Sequence, residues 1–358
     1  MMKQGGASRL ISIDLLKIGA VVTVFFFHCN MHLGIHFGIL TNFISQGAIM
    51  MDLFFMLSGF AIQRVLEARP CKTEGELKKF YLKRFITIYP LYFAICLFFF
   101  AVGTEPLKEK LLRLPVELSL LQSALAPGLF PYSHNGGTWF LSCLMMAYLV
   151  APVFSMLFSR KRTRLAALLF TYLLCALLPF IVIVYSLPNI YSNLVLRCLQ
   201  FLGGMLLAGL IKDIPCKNTG IAAGMAVIGV MGVVCGIDAF VRSGYWLGQY
   251  VTYSFVTFPL FAAVVYGMVS LEAQLCSFPI FAGIARAGSF CYPIFMAQFF
   301  IFNWAHAIIA RFPNAFYEHS NWKKLLLACG LCVITTVVLQ CAICTPSQKL
   351  FAKRKGWK

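Results

Sequence analysis

The sequence predicts an all-α integral membrane protein, a bundle of about ten transmembrane helices with both termini in the cytoplasm. Three observations carry this. The 358 residues are 60% hydrophobic and only 12% charged, with a mean hydropathy of +0.83. Soluble domains carry roughly 25% charged residues, so a soluble core could not hide this much apolar surface and part of the solvent is lipid. The apolar residues also fall into runs of about 20, the length that crosses a bilayer as a helix. Finally, the basic residues are shared unevenly between the segments that alternate sides.

Ten spans are read, near residues 10–32, 43–66, 82–103, 138–158, 165–186, 194–211, 219–240, 249–270, 288–309 and 324–344. Each should be helical, because backbone groups in hydrocarbon have no water to bond. Barrel strands would be about half as long and would alternate in polarity; these runs do neither. The first run carries Asp14 and Lys17, and no small-residue cleavage site precedes the next loop. It is therefore expected to remain in the mature protein rather than act as a cleaved signal.

A net charge of +18 invites a nucleic-acid partner, but its distribution argues for topology instead. With the N-terminus inside, 20 of the 30 lysines and arginines fall in inner segments and 7 in outer ones. Lys17, Arg64 and Arg197 lie within spans. This is a positive-inside pattern. It implies a multi-pass protein of the cell (inner) membrane, with membrane lipids as partners and no nucleic acid. The 14 cysteines are scattered, and the Cys341/Cys344 pair sits in an apolar helix, where small polarizable residues pack well.

The chain reads as one membrane-embedded domain, 1–358, with its transmembrane region at about 10–345 and no appended soluble domain. Two loops are long. The inner one between spans two and three is basic. The outer one, 104–137, contains a charged and apolar alternation over 108–121 that suits an interfacial helix. His134-Asn135-Gly136-Gly137 then leads into the fourth span.

Charged groups at membrane depth are costly and mark candidate functional positions. Asp14, Lys17 and His28 project from one face of the first span. Lys17 and His28 are roughly 16 Å apart along the axis. Asp14 and Lys17, at i and i+3, suit an ion pair. His28 is either a buried structural histidine or a general base. His32 and His36 follow at i+4 steps, but no carboxylate or fourth ligand accompanies them, so no metal is expected. Asp52 lies in the outer half of the second span, at a depth where it could orient His28 and fix its tautomer. Ser58-Gly59 suits close helix packing. Lys83 and Arg84 at the inner rim are either helix anchors or phosphate binders.

These residues, in this order, resemble the membrane acyltransferase 3 family, whose members move acetyl or similar groups from acyl-CoA onto cell-envelope sugars. Lys17 and His28 fit its basic-x10-histidine pattern. Met51-Asp52-Leu53-Phe54-Phe55-Met56-Leu57-Ser58-Gly59-Phe60 fits its most recognisable stretch. Lys83-Arg84-Phe85-Ile86-Thr87-Ile88-Tyr89-Pro90-Leu91-Tyr92 fits its entry to the third helix. Gly137-Thr138-Trp139-Phe140-Leu141, with Tyr148 and Pro152, resembles its tryptophan segment. The stretches 197–204 and 289–295 are weaker matches. Thr87, Leu144 and Gln298 depart from the pattern, standing where members often carry arginine, glutamate and histidine.

The resemblance implies a membrane-bound O-acyltransferase. Acyl-CoA, expected as acetyl-CoA, would arrive from the cytoplasm and need no metal. The acceptor would be a hydroxyl of an envelope polysaccharide or lipid-linked glycan. Arg84, Lys83, Arg64, Lys17 and Ser58 would line the acyl-CoA site. His28 would activate the hydroxyl or carry the acyl group, with Asp52 orienting it. Trp139, Arg197 and Gln200 would line the acceptor end. Intramembrane charges equally suit a transporter or flippase of a lipid-linked sugar or other polar solute, and a non-catalytic partner protein is the third alternative.

Overall fold

The computed structural model describes residues 3–4, 7–126, 133–186, 190–244, 254–315 and 321–353. Apart from a two-residue antiparallel ladder, Lys3–Gln4 with Ala7–Ser8, the regular elements described are helical. In chain order they begin with α1 (Ile11–Leu33), α2 (Thr41–Ser45), α3 (Met50–Ala68) and α4 (Glu74–Val102). The loop helices α5 (Leu107–Leu118) and α6 (Gln122–Leu125) follow. Next come α7 (Trp139–Leu157), α8 (Lys161–Val184), α9 (Leu194–Asp213), α10 (Thr219–Ser243) and α11 (Thr257–Ser270). The chain continues through α12 (Glu272–Ser277), α13 (Pro279–Arg286), α14 (Cys291–Arg311), α15 (Asn321–Leu339) and α16 (Thr345–Lys353).

Among the described residues, nine helical segments are long and apolar enough to span a bilayer, so the all-α polytopic expectation holds. Several individual spans differ, the second in starting as α3 only at Met50, after a 3-10 turn at Gly47–Ile49. The expected eighth span is present as the 14-residue α11, and its expected start, 249–253, lies outside the described residues. The ninth is the continuous α14, and a 3-10 turn at its expected start, Ala287–Phe290, separates it from the short α13. The third begins eight residues early, because Thr73 and Glu76 form a capping box that starts α4 at Glu74. Its 29 residues rise roughly 43 Å, more than the hydrocarbon core is thick.

Local chemistry fixes how α1 enters the bundle. The first backbone amides, Ile11 N and Ser12 N, donate to the Glu272 carboxylate at 2.6 and 2.9 Å. A carboxylate there both satisfies orphan donors and complements the helix dipole. At the other end, Gly34 adopts a left-handed conformation (φ +65°) and closes the helix.

Helix α3 is the centre of the bundle. Its Met51, Phe55 and Ile62 join one apolar cluster with α1, α4, α7, α14 and α15. Its Leu53, Leu57 and Phe60 join another with α8, α9, α10 and α11. The seam with α9 is backbone on backbone. A Cβ at Gly59 would lie 1.8 Å from Phe201 O, and one at Gly204 would lie 1.9 Å from Met56 O. Only glycine permits that approach, which is how helices associate in lipid. Leu169, Phe170, Ile228 and Val333 remain exposed on the outside of the bundle, as a lipid-facing surface requires.

Candidate functional site

Two adjoining cavities run between α1, α3, α4, α7 and the turn before α14. The inner one, about 170 Å³, is lined by Arg9, Asp14, Lys17, Ser58, Arg64, Arg84 and Tyr148, among others. The deeper one, about 260 Å³, shares Lys17, Ser58, Arg84 and Tyr148 and continues along Phe54, Phe140, Leu144, Cys291 and Phe295. Together they form a cleft with a polar mouth and an apolar end. The mouth lies at the end of the bundle where α1 starts and α3 finishes.

The charges of the cleft are unevenly matched. Asp14 is ion-paired with Arg9, not with Lys17 as the helical spacing suggested. Arg9 also donates to Ala285 O at 2.7 Å. A Cβ at Gly288 would lie 3.0 Å from Asp14 Oδ1, so the glycine lets the turn before α14 close on this pair. Arg64 stands at the mouth near Glu272 and Glu67. Lys17 and Arg84 are different: neither makes a hydrogen bond or ion pair among the described residues. Arg84 lies between the rings of Phe80 and Tyr148, 5.4 and 6.0 Å from their centroids, and its Nε is buried without a partner. Two half-buried cations therefore face one cleft with no ion pair of their own, because the Asp14 carboxylate near Lys17 is taken by Arg9. Lys83 does not join them. It is exposed on the outside of α4 and lines neither cavity, which corrects the sequence reading of that residue.

Ser58 and Gly59, adjacent in sequence, divide their roles. A step of one residue turns the helix by 100°, so Ser58 faces the cleft while Gly59 sits in the α3–α9 seam. Two of the departures from the family pattern, Thr87 and Leu144, also line the deeper cavity. The third, Gln298, is buried in α14 with neither amide atom hydrogen-bonded among the described residues.

His28 lies on α1 above the cleft. It stacks on His32 with centroids 5.6 Å apart, and Phe302 packs on both at 5.8 and 4.9 Å. Its Nδ1 is buried without a hydrogen-bond partner among the described residues. His36 follows the helix end at Gly34.

Asp52 is engaged elsewhere. It accepts from Arg197 Nη1 at 2.5 Å, Thr257 Oγ1 at 2.9 Å and Ser254 Oγ at 3.4 Å. Arg197 Nη1 also donates to Gln200 Oε1 at 2.7 Å, and its Nε and Nη2 donate to Tyr191 O at 2.9 and 2.6 Å. Trp139, Tyr191 and Phe55 surround the guanidinium at 5.4, 5.4 and 5.7 Å. Arg197 is fully buried. The expectation that Asp52 orients His28 therefore has no hydrogen bond behind it. Arg197, Gln200 and Trp139, expected at an acceptor site, instead bind one another and Asp52, and none of the four lines the cleft. A buried charge pair holds only when its remaining donors and acceptors are satisfied, and here they clamp α3, α7, α9 and α11 together.

A family model described as an acyltransferase domain, that of the acyltransferase 3 family, matches residues 10–343. The chain belongs to this family. It is a multi-pass membrane acyltransferase. No curated protein and no solved structure matches it.

One set of buried groups in this acyltransferase was missed by sequence reasoning. Glu117 of α5 and His134, just before α7, meet at 2.5 Å with both side chains almost wholly buried. The sequence offered His134 as part of the entry to the fourth span and Glu117 as one charge of an amphipathic helix. The only signal was a carboxylate at the end of an interfacial helix whose loop returns with a histidine. Tyr148 was quoted only as part of a motif, yet it lines both cavities.

Proposed function

We propose that this acyltransferase takes its acyl group, acetyl being expected, from acyl-CoA entering on the cytoplasmic side. It passes the group to a hydroxyl of an envelope polysaccharide or lipid-linked glycan in the inner membrane. One observation carries the reading: Lys17 and Arg84 converge on one amphipathic cleft and neither makes an ion pair among the described residues, the nearby Asp14 being held by Arg9. An uncompensated charge at membrane depth is costly, and an anionic ligand offsets that cost. The phosphates of CoA suit the polar mouth, with Arg84 able to present a planar fork to them. The apolar end suits the pantetheine arm and acyl group. The basic inner segments support a cytoplasmic mouth and both termini inside.

His28 lies roughly 16 Å beyond Lys17 along α1, a distance the extended pantetheine arm spans. It acts either as base or as acyl carrier. As base, it takes the acceptor hydroxyl proton while the new ester C–O bond forms and the thioester C–S bond breaks; the proton then passes to the CoA sulfur. As carrier, its ring nitrogen attacks the thioester, the C–S bond breaks and CoA leaves as the thiol with the imidazole proton; the acceptor hydroxyl then attacks the acyl carbon, the C–N bond breaks and the hydroxyl proton returns to the ring. The test is transfer by purified protein in nanodiscs, with acetyl-CoA and the glycan fraction of the producing membranes, followed by CoA thiol release. His28→Ala should insert normally and lose at least ~10²-fold in transfer. Near-normal transfer by folded His28→Ala would remove His28 from the mechanism.

A further inference from the structure

A third cavity opens on the outside of the bundle, between the start of α4 and the middle of α7. It holds about 660 Å³, more than either part of the cleft. Leu82, Phe85, Met145 and Leu149 form apolar walls, and Lys78 and Arg84 supply cations. Glu74, Lys78, Tyr81 and Phe85 recur at steps of four, three and four residues, so they share one face of α4. Tyr81 Oη donates to Leu149 O at 2.7 Å and ties the two helices together across the groove. Phe85 and Leu149 are 41% and 50% exposed, so the walls are open to lipid.

The charges in this groove lack counter-ions. Arg84 Nε is buried with no hydrogen-bond partner, and neither Arg84 nor Lys78 makes an ion pair among the described residues. Glu74 also lines the groove, so the two cations leave a surplus of one positive charge among the described lining residues. Depth suits a headgroup. Helix α4 has 29 residues and is roughly 13 Å longer than a hydrocarbon core of about 30 Å. Its polar first residues, 74–79, carry that excess, which puts Lys78 in the headgroup layer and Arg84 just beneath it. Inorganic phosphate would use the cations and leave the apolar walls bare. A lipid uses both. Its headgroup phosphate meets the lysine and the arginine fork, and a net negative charge balances the surplus, which a zwitterionic headgroup does not.

We infer that this groove binds a glycerophospholipid with one net negative charge. Its phosphate sits on Lys78 and Arg84, and one acyl chain runs along Leu82, Phe85, Met145 and Leu149. Arg84 and Tyr148 line the groove and both parts of the cleft, so the guanidinium stands in the wall between them. The lipid therefore competes with an anionic donor for Arg84. That consequence rests on the acyl-CoA reading of the cleft; lipid binding does not.

The experiment titrates the full chain, purified in non-ionic detergent, with dioleoylphosphatidylglycerol, dioleoylphosphatidylcholine and glycerol 3-phosphate, read by native mass spectrometry. Thermal unfolding in the same detergent shows that each variant is folded. Wild-type protein should bind phosphatidylglycerol at least ~10-fold more tightly than phosphatidylcholine, and glycerol 3-phosphate at equal concentration should not displace it. Lys78→Gln and Arg84→Gln should each lose roughly 5-fold in phosphatidylglycerol affinity, the usual worth of one cation at an anionic surface, with phosphatidylcholine unchanged. Leu149→Trp fills the groove from a half-exposed position and should weaken both lipids. Equal affinity for the two lipids would overturn the site. So would a preference that survives Lys78→Gln and Arg84→Gln, or displacement by glycerol 3-phosphate, which would mark a simple phosphate site. Acetyl-CoA affinity is then measured with and without phosphatidylglycerol. It should weaken when the lipid is bound, and an unmoved value would overturn the competition. If wild-type protein binds no acetyl-CoA yet binds phosphatidylglycerol through both cations, the donor reading fails and the lipid site stands.

Discussion

Asp52→Asn separates a structural clamp from a catalytic orienter. The substitution keeps the shape of the side chain and removes its charge. Arg197 then remains fully buried with its Nη1 facing an amide and with Tyr191 O and Gln200 Oε1 as its other partners. Removing one member of a buried ion pair costs roughly 3–5 kcal/mol, because the other charge is left uncompensated. Thr257 Oγ1 and Ser254 Oγ lose a charged acceptor as well. The assay is thermal unfolding in nanodiscs alongside acyl transfer at a temperature where the variant is still folded. A large fall in unfolding midpoint is expected, with transfer per folded molecule changed little. Replacing both partners, Asp52→Leu with Arg197→Met, should recover much of the stability, since apolar replacement of a buried pair is often neutral. If Asp52→Asn melts like the wild type while transfer collapses, Asp52 serves the chemistry and the clamp reasoning is wrong.

Two further outcomes follow from the packing and the charge pattern. Gly204→Ala places a methyl 1.9 Å from Met56 O and should destabilise the protein by ~1–3 kcal/mol, whereas Gly330→Ala, with nothing within 4 Å, should not; equal melting of the two would show that the α3–α9 seam yields freely. A cysteine introduced at Ser159, beside the basic start of α8, should react with an impermeant maleimide only from the cytoplasmic face, and labelling of intact cells would reverse the topology and the side of donor entry.

The fold was legible because its signals are additive along the chain. Runs of apolar residues and their basic flanks mark spans without any knowledge of which helix touches which. The short α13 before the ninth span was hidden, whereas the turn at 287–290, where Gly288 lies against Asp14, falls where that span was expected to start. Within the site, Lys17, Ser58, Arg64 and Arg84 were found in sequence and do meet in one cleft. Lys83 was not separable from Arg84 by composition, yet one residue's rotation on α4 turns it away. Asp52 illustrates the limit most clearly. Its depth matched that of His28, but depth says nothing about azimuth, and its partner Arg197 lies 145 residues away. The Glu117–His134 contact was invisible for the same reason: a carboxylate on an amphipathic helix reads as a solvated face until the loop is seen to fold over it.

The central claim is that Lys17 and Arg84 hold the phosphates of an acyl-CoA, and equilibrium binding of acetyl-CoA to the purified protein tests it most directly. Arg84→Lys keeps the charge and loses the planar fork, and Arg84→Ala loses both. Affinity should weaken by ~1–3 kcal/mol in Arg84→Lys and at least as much in Arg84→Ala, as for other charge-assisted hydrogen bonds. Lys17→Ala should weaken it too, and Lys83→Ala, exposed outside the cleft, should not. Acetyl-CoA bound by folded Arg84→Ala and Lys17→Ala as tightly as by the wild type would contradict the assignment of this cleft to the donor.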